Sequence, residues 1–267
     1  ERRQILILIA PALGALIIGL FVPQWFAALA VIAAGWLVVA LITGRAGVRR
    51  EYQRAIKLMR KGDYDQAIAI ISDLIKAEPD QADHRRFRAD LYRLSGNLRK
   101  ARTDYEKVVT LSPDSGVGYN GLAEVYLQEG NYERAFAYGL KAHALEPNHW
   151  VAAYNLGMIA DRLGKWAEAI ESLKRALIAK IPDSRHRLLT YLWLTRAYLY
   201  TGEEQGAAEG LAALRSEKRG LREWQIIFSS EQASILRQVL SKDVALAEQL
   251  AESDQGAALD LLRSKRG

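Results

Sequence analysis

A chain of 267 residues has room for one large domain or two modest ones, and half of it is hydrophobic although its mean hydropathy is only -0.10. Together these values point to segregation, with one very apolar region beside an ordinary polar one. The absence of cysteine excludes disulfides, thiol catalysis and cysteine-ligated metals. The net charge of +6 lies mostly near the amino terminus, where Arg2, Arg3, Arg45, Arg49 and Arg50 face only Glu1. Positive charge beside an apolar segment sets membrane orientation, so no nucleic-acid partner is expected.

From Gln4 to Gly44 there is no Asp, Glu, Lys, Arg or His. A bilayer-crossing helix needs about 20 residues, so this run is long enough for two. Val22-Pro23-Gln24-Trp25 breaks it with a helix-stopping proline, a polar residue and an interfacial tryptophan. The expected first domain, residues 1–47, is therefore a transmembrane hairpin with spans at about 4–21 and 25–43. Arginines flank its two outer ends and none sits at its tip, which puts both termini and everything after the hairpin in the cytoplasm. Small residues four apart (Ala10/Gly14, Ala15/Gly19 and Ala30/Ala34) let helix backbones approach within lipid, either on each other or on other transmembrane helices. Ala10-Pro11-Ala12 resembles a leader cleavage site, but the first apolar run exceeds a usual leader core and a second comes at once. Residue 1 is Glu rather than Met, so the natural start is expected to be missing or processed.

Beyond Arg50 the chain repeats every 34 residues. Ala67, Ala101, Ala135 and Ala169 keep that spacing, as do Gly62, Gly96, Gly130 and Gly164. Tyr64, Leu98, Tyr132 and Trp166 come after the glycines, Ala55, Ala89, Ala123 and Gly157 form a small-residue column, and Pro79, Pro113 and Pro147 close each unit. Pro182 misses the period by one. Columns in register over four units mark a repeat architecture. The glycine ends a first helix by reversing the chain in the left-handed region. Asp63, Asn97 and Asn131 then stand where the second helix needs a cap, and Asp80, Asp114, Asn148 and Asp183 where the next first helix needs one. Each unit is a helical hairpin that buries its apolar face only by stacking on its neighbours.

The stretches Gly62-Asp63-Tyr64-Asp65-Gln66-Ala67, Gly130-Asn131-Tyr132-Glu133-Arg134-Ala135 and Gly164-Lys165-Trp166-Ala167-Glu168-Ala169 resemble the turn of a tetratricopeptide repeat, and Tyr154-Asn155-Leu156-Gly157 resembles the head of one. The resemblance covers residues 48–182, four repeats, and implies an all-α, right-handed solenoid. The second repeat departs from the pattern with Arg85 and Arg88 where bulky apolar residues are usual, so less regular packing is expected there. A degenerate fifth repeat is expected at 183–220, with Tyr191-Leu192-Trp193-Leu194 and Ala197-Tyr198-Leu199-Tyr200 in its first helix and 207–215 in its second. At 221–267, apolar intervals of three and four at Leu221, Trp224, Ile227 and Phe228 predict C-terminal capping helices that cover the last apolar face, with a solvated tail from Arg263.

No catalytic constellation emerges. His84, His143, His149 and His186 form no metal pair, His143 falls in a packing column, and phosphate-binding, dinucleotide and nucleophile-elbow motifs are missing. No enzyme, cofactor or metal is expected. The resemblance instead implies partner proteins along the concave face, which the first helix of each repeat lines. The matching positions are Arg86, Asp90 and Arg93, then Asn120, Glu124 and Gln128, then Tyr154, Asn155, Met158 and Arg162. Some relatives clasp acidic chaperone tails with a clamp that begins on asparagine. Here Ile56, Asp90, Glu124 and Met158 fill that column, and its two acids repel a carboxylate. The expected function is a membrane-anchored scaffold or assembly factor at the cytoplasmic face. The alternatives are a permanent subunit of a larger membrane complex and, further off, an enzyme or regulator of an envelope pathway.

Overall fold

A computed structural model describes residues 47–264, together with the two helical positions Val31 and Ala34. The expected spans at 4–21 and 25–43 lie, those two positions apart, outside the described residues, as do residues 265–267. Among the described residues no helix is long and apolar enough to cross a membrane, and none forms a strand. The chain divides into two compact units, one up to His84 and one from Arg85 onward.

In the first unit, helix α1 (47–61) precedes α2 (Tyr64–Ala77). Ala55 and Ala67, the two small positions of this hairpin, are fully buried, with Ile71 and Ile75 extending the apolar stripe of α2. Helix α3 (Ala82–Leu94) begins in this unit. There the buried His84 accepts or donates at 2.6 Å to the Tyr52 hydroxyl and at 3.1 Å to Glu78, so its imidazole is a packed structural group.

The second unit alternates α4 (Leu98–Leu111), α5 (Gly116–Gln128), α6 (Tyr132–Leu145), α7 (Trp150–Arg162), α8 (Trp166–Ile178), α9 (Ser184–Thr201) and α10 (Glu204–Ser216). The turn glycines adopt positive φ, between 66° and 83°, and a fifth, Gly202, does so at 80°. At each turn the residue after the glycine donates back to a carbonyl five residues earlier, as Asn97 does to Tyr92 at 2.8 Å and Glu203 to Tyr198 at 2.8 Å. This is the closure that satisfies the last carbonyls of a helix, and only glycine enters it without a Cβ penalty.

The small columns have a steric cause. At the column position Gly157 a Cβ would stand 2.5 Å from Leu173 of α8, and outside the columns one on Gly121 would stand 2.1 Å from the Tyr105 ring of α4, so neither position has room for a side chain. Asn97 and Asn131 cap as expected, accepting from the backbone N–H of Lys100 and Arg134, and Asp183 accepts from His186. Asp63 makes no capping bond, Ser115 rather than Asp114 caps α5, and His149 stands at the cap of α7 without one. The shorter Ser115 hydroxyl reaches Val117 N–H one residue nearer the helix. Arg88 does not loosen the second repeat, because its guanidinium grips the buried Asp104 carboxylate through two bonds of 2.7 and 2.8 Å.

The slip in period is resolved at α9. It has 18 residues against 13 in α3, α5 and α7, and its turn glycine stands 38 residues after Gly164 rather than 34. Four extra residues are about one helical turn, which keeps the same face inward. Two residues before Pro182 stands Lys180, the one non-glycine residue at positive φ (63°) among those described. After α10 come α11 (Arg219–Phe228), a 3-10 turn (Glu231–Ala233), α12 (Ser234–Glu252) and α13 (Gln255–Ser264). Trp224, Leu240, Val244, Ala247, Leu250, Leu259 and Leu262 join Leu188, Leu192 and Trp193 in one core. Arg263, the first residue of the expected solvated tail, is exposed but still within α13, and meets Glu204 at 2.7 Å.

Candidate functional site, a polar row on successive first helices

Helices α3, α5 and α7 each lead a repeat, so the same register position on each faces the same way. The residues singled out in the sequence form one row across them. Glu124 is its hub. One carboxylate oxygen accepts from Asn120 at 2.9 Å on its own helix and from Asn155 of α7 at 2.9 Å, and the other meets Arg93 of α3 at 3.0 Å. Asn155 also donates to the Asn120 amide oxygen at 3.1 Å. Three consecutive repeats are thus tied through one carboxylate. Upstream, Asp90 accepts from the Tyr105 hydroxyl and pairs with Arg86 at 3.4 Å. Burial pushes the Asp90 carboxyl above the ordinary range despite nearby Arg93 and Tyr105. Burial also works against the Arg93 charge, but Glu124, Tyr105 and Asp90 outweigh it and hold the guanidinium charged.

The row changes character at α7. Every residue from Ala152 to Asp161 is buried, including Tyr154 at 4%, Met158 at 4% and Asn155 at 7% exposure. Tyr154 is enclosed by Trp150, His186 and Trp193, with ring centroids 5.1 to 6.1 Å apart, and burial pushes its hydroxyl well above the ordinary tyrosine value. Arg162 is turned toward the chain's own α12, where it pairs with Asp243 and donates to the Val239 carbonyl at 3.4 Å. Arg196 of α9 grips Asp161 and reaches Asp243 at 3.5 Å. Arg86, Asp90, Arg93, Asn120 and Glu124 are therefore brought together on a partly exposed surface, whereas Tyr154 and Met158 are buried and Arg162, about as exposed as Arg93, is turned to α12.

Three of these side chains keep hydrogen-bonding capacity that nothing among the described residues uses. Arg93 Nε, Gln128 Oε1 and the Tyr154 hydroxyl are enclosed and have no partner, a rare condition for buried polar atoms. Two functional neighbours escape a reading of the sequence by itself. Arg196 stands 34 residues after Arg162, so the period alone could have found it. Asp243 belongs to a helix outside the repeat and carries no such signal. Among the described residues no group of three or more His, Asp or Glu is placed to hold a metal.

Two family models, both described as tetratricopeptide repeat, match residues 52–116 and 114–180. The chain is 22% identical over 142 residues to Superkiller protein 3 of Schizosaccharomyces pombe, an alignment covering 49% of this chain but only 10% of that protein. Its fold is similar to the crystal structure of PilW, a widely conserved type IV pilus biogenesis factor, with a TM-score of 0.55 at 22% identity, covering 80% of this chain and 97% of the other. It is similar also to the crystal structure of MamA, with a TM-score of 0.53 at 23% identity, covering 63% and 96%. With the turn geometry and the close helix packing at Gly157, these matches make residues 52–180 tetratricopeptide repeats.

Proposed function

We propose that this chain is a membrane-anchored tetratricopeptide scaffold or assembly factor that receives a protein partner along the open part of the row, at the cytoplasmic face. The observation that carries it is the Glu124-centred ladder, which spans three successive first helices and keeps Arg86, Asn120 and Glu124 partly exposed. A peptide main chain offers alternating donors and acceptors, and solenoids present extended surfaces on which such segments lie. Mixed charges and amides at Arg86, Asp90, Arg93, Asn120, Glu124 and Gln128 suit a polar or amphipathic segment. Tyr154, Asn155, Met158 and Arg162 support the row from beneath or pair with α12.

The anchor rests on the uncharged run from Gln4 to Gly44 and its flanking arginines. PilW is a pilus biogenesis factor, and the likeness favours the assembly role over a permanent subunit. A photo-crosslinking residue at position 86, in native membranes, is expected to yield a discrete adduct that one at Lys107 does not. Equal labelling at both positions would refute the row as the binding surface. Sizing after detergent extraction separates the roles, since a stoichiometric complex that survives extraction identifies a permanent subunit. Protection of the repeat domain from protease in right-side-out vesicles is expected, and digestion there would overturn the topology.

A further inference from the structure

A cavity of about 1110 Å³ opens where α12 passes the ends of α7 and α9. It exceeds the roughly 300–1,000 Å³ of ordinary small-molecule sites. Its charged wall holds Arg162, Arg196 and Lys242 against Asp161 and Asp243, three cations to two carboxylates. The carboxylates are committed. Asp161 takes Arg196 and Arg162, and Asp243 takes both arginines from the other side. Arg196 uses Nε and Nη2 in doing so and leaves Nη1 unused at the cavity. Lys242 is exposed and has no ion pair among the described residues. The lining also includes an aromatic pair, Trp166 stacked on Tyr200 with ring centroids 4.4 Å apart.

One positive charge and at least three N–H donors are therefore without a counterpart. The arginine is held in place by Asp161 and Asp243, whereas the Lys242 side chain stands exposed at the rim. We propose that this cavity binds a segment of a partner protein by a single acidic side chain, seated between Lys242 and Arg196 Nη1, with a neighbouring apolar or aromatic side chain on the Trp166–Tyr200 wall. A single carboxylate balances the excess charge. A phosphate dianion would add a surplus negative charge beside Asp161 and Asp243. The volume admits several residues, which favours a peptide over a small acid. The site is separate from the row and shares only Arg162 with it.

The test uses the full chain labelled with ¹⁵N-tryptophan and three capped tripeptides: acetyl-Phe-Glu-Leu-amide, its Gln counterpart and its phosphoserine counterpart. The Trp166 indole N–H, assigned through Trp166→Phe, reports occupancy. The Glu peptide is expected to bind at least tenfold more tightly than the Gln peptide, and more tightly than the phosphoserine peptide. Lys242→Gln, which changes an exposed side chain and no internal contact, is expected to reduce the Glu preference to about threefold or less. Equal binding of Glu and Gln peptides, tighter binding of phosphoserine, or indifference to Lys242→Gln would each overturn the proposal. Arg86→Glu is expected to leave the Trp166 response unchanged. Loss of that response in Arg86→Glu would assign the peptide to the row instead, whereas absence of crosslinks at position 86 would sink the row reading and leave this cavity standing.

Discussion

The first helices α5 and α7 occupy equivalent places in successive repeats, yet they meet different surroundings. The inner face of α5 presents Asn120 and Glu124 in a half-exposed ladder, whereas α7 is buried from Ala152 to Asp161. The repeat does not produce this difference. The elements C-terminal to the repeats do: α9 is longer, α11 brings Trp224 beneath it, where the indole donates to the Arg185 carbonyl at 3.0 Å, and α12 supplies Asp243 to two arginines. A terminal solenoid unit must cover its last apolar face. Here the covering also pairs Arg162, at the end of the polar row, with the buried Asp243. Equivalent positions in a repeat thus share geometry without sharing accessibility.

The contrast is sharpened most by removing Asp243. Its carboxylate is 4% exposed and is shared by Arg162 and Arg196. Asp243→Ala leaves two mostly buried guanidinium groups with Asp161 alone, and breaking a buried pair in this way costs about 3–5 kcal/mol. Denaturant unfolding is expected to show that loss. Gly121→Ala comes next. Its Cβ would sit 2.1 Å from the Tyr105 ring, so the gain in helix propensity is outweighed by overpacking, for a net loss of roughly 1–3 kcal/mol. At Gly96, where nothing lies within 4 Å of the added Cβ, the cost comes instead from the φ of 80°. Glu124→Gln, in the open half, keeps the shape and the Asn120 and Asn155 contacts but removes the charge facing Arg93. A loss of about 1.5–3 kcal/mol is expected, the size of one hydrogen bond to a charged group. Should Glu124→Gln prove as costly as Asp243→Ala, the division into open and covered halves would fail.

Much of this was legible in the sequence because it depends on spacing. Glycine at Gly62, Gly96, Gly130 and Gly164 specified the left-handed turns, and all four adopt them. The register also placed Arg93, Asn120, Glu124 and Asn155 on one face, where they bond to one another. Other features depend on contacts between residues with no fixed separation. Arg88 looked like a packing defect, because its partner Asp104 lies 16 residues away on the next helix and matches no period. The extra turn in α9 blurred the columns without changing which face was inward. Asp243 lies 81 residues from Arg162, in a helix whose apolar rhythm indicates only that it packs against something. Periodicity therefore reveals which face a residue occupies, while its coverage depends on non-repeating elements.

The smallest effect comes from His186, at the seam between the repeats and their cover. Its ring lies 5.2 Å from Trp150, 5.1 Å from Tyr154 and 5.9 Å from Trp224, while its Nδ1 is 2.7 Å from Asp183. Burial lowers its pKa below the ordinary 6.5. Asp183 and Glu223 oppose that shift, and Arg185 adds to it. A histidine whose folded value is depressed stays neutral when the unfolded chain takes up a proton. Its contribution to stability is therefore complete above pH 6.5 and is lost as pH falls from 6.5 toward the folded value. His143, lowered by burial and by Arg175, acts in the same direction. The raised carboxyls of Asp90 and Asp161 act in the opposite sense, because the folded state there holds its protons more tightly. The informative quantity is thus the difference between the wild-type and His186→Gln curves of unfolding free energy between pH 7.5 and 5. The wild-type curve is expected to fall more steeply below pH 6.5, with a total loss smaller than that of any substitution above. Parallel curves would mean that the aromatic seam tolerates the imidazolium, and that α11 and α12 cover the repeats less tightly than their buried side chains indicate.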